Sequence, residues 1–170
     1  MNCEFTKDEL KRIQISKYFF FRLNETEKEF NEKVKELENF INKNAPAGYK
    51  KDLSFNLISV QESKKNYSSE VLFLDFEEKI NSLKLEIEKL KEFFNKNISL
   101  ACKLCFKMEN FQEKYLLLDT FIFKTNKNFR IKTLKIKTNK DFENILNKGL
   151  ISFSYILDSY YKEKKRTLEK

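Results

Sequence analysis

The stretch "FKTNKNFRIKTLKIKTNKDF" (residues 123–142) decides how the chain is read. From Phe121 to Lys140 the sequence carries seven basic residues and no acidic one. The 170-residue chain holds 34 Lys and Arg against 26 Asp and Glu, a net charge of +8. Outside the window 27 basic residues face 26 acidic ones, so nearly all the excess charge sits in twenty residues. Even basicity serves solubility, whereas localised basicity marks a polyanion footprint. Two backbones fit the stretch. "LLLDTFIFKT" (116–125) and "FRIKTLKIKT" (129–138) around "NKN" suit a β-hairpin, rich in β-branched and aromatic residues with a turn-like centre. A half-buried strand keeps one face apolar, yet Phe129 and Ile131 share one face and Leu134 and Ile136 the other. A bulge near Thr133 would restore the alternation.

The rest of the sequence argues for helices. Only two Gly and one Pro occur, so breakers are scarce. Thr6 and Glu9 form a capping box. Phe20, Leu23, Phe30, Val34, Leu37 and Ile41 then follow a heptad seam, with Glu27 as its polar break. This predicts a helix from about Thr6 to Asn42, stopped by "NAPAG" (44–48). Residues 49–67 read as a linker, with "LSFNLISV" (53–60) as a short strand or helical turn. Ser68 or Ser69 would cap the next helix, whose seam is Ile80, Leu83, Ile87, Leu90 and Phe94. Two such helices most simply make an antiparallel hairpin, with a dimeric coiled coil as the rival. Ile98, Ala101, Leu104, Phe111, Tyr115, Leu118 and Phe121 fit a third helix, kinked near Glu109–Asn110. Thr138 and Asp141 make a further capping box. From Phe142 through Ile145, Leu146, Gly149, Leu150, Phe153, Ile156, Leu157 and Tyr160 runs a wide apolar stripe. The tail "KEKKR" (162–166) is expected to fray.

Counted from Thr138, "TNKDFENILNKGL" (138–150) has apolar residues at +4 and +7 and a small residue followed by Leu at +11 and +12. This resembles the recognition helix of sigma-70 region-4-like proteins, in particular small phage and prophage regulators of late transcription. Phe129, Thr133 and Ile136 stand where that family has Trp or Phe, Ala and Leu. The resemblance implies a long N-terminal helix, a variable loop, a second long helix and a C-terminal helix-turn-helix. The expected fold is therefore all-α, with a long antiparallel helix pair in residues 1–96 (linker 43–67) and a basic C-terminal module in 97–170. The alternative is α+β with a basic hairpin at 115–138.

Much chemistry is excluded by composition. The chain has no His, so His-based general-base catalysis and His ligation are ruled out. Glycines only at 48 and 149 leave no phosphate-cradling loop. Cys102 and Cys105 form a CxxC that more simply packs as small apolar residues on a helix, with Cys3 as the one further thiol. Carboxylate pairs such as Glu77/Glu78 and Glu86/Glu88 read as solvated helix faces. No enzyme, cofactor or metal is expected. The N-terminal dozen lacks an apolar core for a signal peptide, and no run is long enough to span a membrane. A cytoplasmic location is expected, in a bacterium or a phage-infected cell.

What remains is binding. In the helix-turn-helix reading, Asn139, Lys140, Glu143, Asn144 and Asn147 point outward from the apolar stripe, and of these Asn pairs with adenine and Lys reaches guanine or phosphate. Lys124, Lys127, Arg130, Lys132, Lys135 and Lys137 hold phosphates and set register. In the hairpin reading the same cations make a ribbon with less sequence choice. The first expectation is a phage-type transcription regulator binding duplex DNA, its long helices serving dimerisation or polymerase docking. A small, Lys-rich, motif-poor chain also suits a phage-encoded inhibitor, an anti-CRISPR or host-takeover protein that binds a nuclease or its guide RNA. A coiled-coil scaffold is the plainest option.

Overall fold

A computed structural model describes residues 5–45 and 67–168. Among them every regular element is helical: α1 (Lys7–Asn44), α2 (Tyr67–Phe106), α3 (Phe111–Leu117), a π-type turn (Leu118–Ile122), α4 (Lys127–Thr133) and α5 (Asn139–Leu168). The fold is all-α, and residues 115–138 form helix and turn with no strand, so the hairpin alternative is overturned. "NAPAG" from Pro46 on, "LSFNLISV" and the linker up to residue 66 lie outside the described residues. Backbone contacts divide the chain into one unit of Met1–Glu25 with Asn95–Lys170 and another of Thr26–Phe94. This differs from a split at residue 96, because the first part of α1 groups with the C-terminal elements.

The Thr26–Phe94 unit is a helix pair. Leu37, Ile41, Phe76, Ile80, Leu83 and Ile87 are buried together, with Phe30, Val34 and Phe40 packed against them. All but Phe76 and Phe40 are seam positions of the two heptad patterns; of the remaining seam residues, Leu90 and Phe94 are half-buried outside this cluster, and Phe20 and Leu23 belong to the other unit. Phe40 stacks on Phe76 at 5.5 Å, while Lys33 Nζ reaches Glu86 at 3.0 Å. Rising numbers on α1 thus meet falling numbers on α2, so the pair is antiparallel. Lys33 also holds Glu36 at 2.9 Å. Hydrogen bonds to Glu36 and Glu86 raise the Lys33 pKa, and the one from Lys33 lowers that of Glu86. Glu86 is exposed and Lys33 only half-buried, so the hydrophobic seam, at roughly 1.5–3 kcal/mol per fully buried side chain, dominates the pairing.

In the other unit, α1 starts at the capping box read from sequence. The Glu9 amide donates to Thr6 Oγ1 at 3.3 Å, and the Thr6 amide donates to Glu9 Oε2 at 2.7 Å. Phe20 is fully buried between Phe121, stacked at 4.5 Å, and Phe153, tilted at 4.8 Å. Ser16 Oγ, also buried, donates to the Leu150 carbonyl at 2.7 Å. At the next turn Arg12 bridges Asp8 and Asp158, both at 3.1 Å, with its guanidinium 3.6 Å above the Tyr155 ring. Hydrocarbon, a buried hydroxyl and a cation thus each fix α1 on α5.

Three local expectations are corrected. Residues 98–106 do not begin a third helix, because α2 runs unbroken to Phe106 with Ala101, Leu104 and Cys105 buried. The break comes at 107–110, where Asn110 caps α3 by accepting from the Gln112 and Glu113 amides. Ser68 and Ser69 lie inside α2, whose helical backbone already includes Tyr67. The 162–166 tail remains helical to Leu168.

Gly149 lets α3 lie close on α5. A Cβ there would sit 3.2 Å from the Glu113 carbonyl oxygen and 3.3 Å from Leu117 Cγ. The carbonyl belongs to helix backbone and cannot swing aside. Gly149→Val should therefore destabilise the protein by about 1–3 kcal/mol, the usual penalty for overpacking, seen as a lower urea midpoint.

Candidate nucleic-acid interface

The basic window is held by the π-type turn. The Phe123 amide donates to the Leu118 carbonyl at 2.9 Å, five residues back, and the Thr125 amide to Asp119 at 3.1 Å. The wide turn exposes Phe123 and buries Asp119, whose carboxylate accepts from Thr125 Oγ1 at 2.7 Å. Lys124 completes the reversal with φ 52°, a left-handed conformation. Asn126 then caps α4, its side chain accepting from the Asn128 amide at 2.8 Å.

Helix α4 lasts seven residues and ends in a Schellman motif without glycine. The Ile136 amide donates to Ile131 at 3.0 Å and the Lys135 amide to Lys132 at 3.2 Å. Lys135 takes the left-handed position, φ 52°, where Gly is usual. Leu134 and Ile136 turn inward and are buried. The failed alternation of "FRIKTLKIKT" therefore records a helix end. Thr138 caps α5, its Oγ1 accepting from the Asp141 amide at 3.0 Å and donating to Asp141 Oδ2 at 2.8 Å.

The cations of the window fall into two groups. Lys127 and Arg130 hold α4 to its neighbours. Lys127 Nζ lies 3.3 Å from Glu143 and 4.7 Å above the Phe142 ring. Arg130 donates to Thr120 Oγ1, with its guanidinium 5.8 Å from the same ring. Lys124, Lys127, Lys132, Lys135, Lys137 and Lys140 are exposed. On α5, Lys140, Asn144 and Asn147 recur at steps of four and three, so they share one line of the helix. Lys140 is exposed, and both asparagines are half-buried. The buried line is Phe142, Leu146, Gly149, Phe153 and Leu157. Asn139 is exposed but stands three residues before Phe142, in register with the buried line, so it does not join the other three.

Of the three positions taken from the resemblance, Phe129 and Thr133 are exposed and Ile136 is buried. Leu134 is buried as well. Phe123 and Phe129 are further surface groups of the window, and the sequence signal for them is their interleaving with lysines. In the CxxC, Cys102 is half-buried and Cys105 buried. Burial pushes both thiols up, Cys105 to about 12, so the thiolates that metal binding or redox chemistry needs are disfavoured.

Comparison with protein-family models, curated proteins and solved structures returns no match. The chemistry of the surface alone carries its functional reading. No helix among the described residues is long and apolar enough to cross a membrane.

Left-handed lysine is strained by about 1–2 kcal/mol relative to glycine, part of which glycine loses in the more flexible unfolded chain. Lys135→Gly should accordingly raise stability by about 0.5–1 kcal/mol, read as a higher denaturation midpoint.

Proposed function

We propose that this chain is a DNA-binding regulator of transcription, with α4 and the start of α5 as its reading head. The observation that supports it is the confinement of seven cations to one twenty-residue window, six of them exposed around α4, its turns and the start of α5. In this reading Lys132, Lys135 and Lys137 lie along the phosphates, and α5 enters the major groove with Lys140, Asn144 and Asn147 toward base edges. Lys127 and Arg130 act indirectly by holding α4 on Phe142. The helix pair of residues 26–94 serves as the docking or dimerisation arm.

Binding should be steeply salt-dependent. Lys132, Lys135 and Lys137, each neutralising one phosphate, give a slope of about −2.7 for log K against log salt. Lys132→Ala with Lys135→Ala should weaken binding to every duplex and flatten that slope by about 2 units. Lys140→Ala with Asn144→Ala should mainly erase preference, with about 1–3 kcal/mol of discrimination lost at each contacted base pair. Gel shifts of a randomised duplex library at fixed salt read both effects. Failure to bind any duplex at ~50 mM salt would sink the proposal, since electrostatic attachment alone should show there. A stable complex with a nuclease in its place would support the inhibitor reading.

A further inference from the structure

Two apolar stripes lie on the outer faces of the long helices. On α1, Leu10 (48% exposed), Tyr18 (65%) and Phe21 (55%) line the side opposite buried Ile13, Ser16 and Phe20. On α2, Leu74 (63%) and Leu85 (52%) flank a shallow groove lined by Glu77, Glu78, Asn81 and Ser82. Each stripe lies within one of the two units. Leu10 and Phe21 are eleven residues apart, as are Leu74 and Leu85, so each apolar pair spans about 16 Å of helix.

Their charges are opposite. Exposed Lys7, Lys11 and Lys17 flank the α1 stripe. Its nearby acids are engaged, Asp8 by Arg12 and Glu9 by the Thr6 cap. The α2 groove holds two carboxylates and no cation. Laid antiparallel in one register, Leu10 meets Leu85 and Phe21 meets Leu74. The same register sets Lys17 against Glu78, Gln14 against Asn81 and Lys7 against Glu88. Apolar, amide and oppositely charged positions coincide at these five pairs, while Tyr18 falls opposite Glu77 and Lys11 opposite Lys84 at the flank.

We propose that the α1 stripe of one chain docks on the α2 stripe of a second copy in this antiparallel register. Every chain carries one stripe of each kind, so each copy both offers and accepts. Four large side chains leave water at the contact, and Lys17 and Glu78 set its register. The contact is independent of the nucleic-acid reading.

The test is a charge swap followed by light scattering and sedimentation at ~10–100 µM, where associations of modest affinity are populated. The wild type should self-associate. Lys17→Glu and Glu78→Lys should each weaken that association at least about tenfold, because like charges then face each other. Mixing the two variants should restore it. The acid introduced on α1 of one variant then matches the base introduced on α2 of the other, and the unaltered Lys17 of the second variant matches the unaltered Glu78 of the first. Both positions are exposed, and circular dichroism checks that the variants stay folded. A wild type that remains monomeric throughout, single variants that associate as the wild type does, or a mixture that stays monomeric would each overturn the proposal.

Discussion

Phe20 is the side chain on which the unit containing the basic window depends. Its ring is fully buried, stacked on Phe121 from the π-type turn and tilted against Phe153 from α5. Phe19 adds an edge contact to Phe20 and a tilted one to Phe153. Removing a buried Phe costs about 3–5 kcal/mol, a large share of the stability of any single domain. The position of the turn matters as much as the energy. Residues 118–122 carry Phe121 inward and present Asp119 and Thr120 to the segment leading into α4. Thr125 hangs on Asp119 and Arg130 on Thr120, so α4 is placed by a turn that Phe20 places.

The basic window is thus charge arranged by hydrocarbon. Phe142 is the second ring in the chain of dependence. Buried itself, it offers its face to Lys127 and to Arg130. Such cation–π contacts are worth about 0.5–1 kcal/mol at exposed sites, enough to bias a seven-residue helix that has little core of its own. The remaining lysines are spread over α4's end and the turns, including two at positive φ. Glycine at either place would relieve strain but remove a charge. Backbone strain held beside exposed cations is a reason to look for a ligand there, with the inference running from the outlier to the function.

The parts legible in the sequence share one property: their signal lies in side chains at regular spacing. Both heptad seams, the Thr6–Glu9 and Thr138–Asp141 caps and the α5 stripe appear where periodicity and capping chemistry put them. The parts that are not legible depend on backbone states with no residue signature. A π-type turn has no composition of its own, and a helix end with Lys135 in the glycine position looks like a faulty strand. Residues 98–106 read as a new helix because the apolar pattern shifts there. In fact α2 continues and its buried face changes partners, from Leu37 and Ile41 in one unit to the core of the other. Among the ten residues read as nucleic-acid contacts, spacing alone does not separate Lys127 and Arg130, which hold α4 in place, from the other cations of the window.

Two electrostatic regimes coexist along the chain, and they act over different distances. On α1 and α2, acidic and basic residues alternate, so their fields largely cancel beyond near neighbours. What remains is pairwise, as at Lys33 with Glu36 and Glu86. The window at 121–140 has no acid of its own to cancel it, and its potential extends to the limit set by salt, about 8 Å at physiological ionic strength. A field of that reach draws in a polyanion before any contact forms, whereas paired charges on a helix act only once two surfaces touch. The long helices can therefore carry many charges with little field at a distance. Charge on those faces acts through register, and charge in the window acts through density.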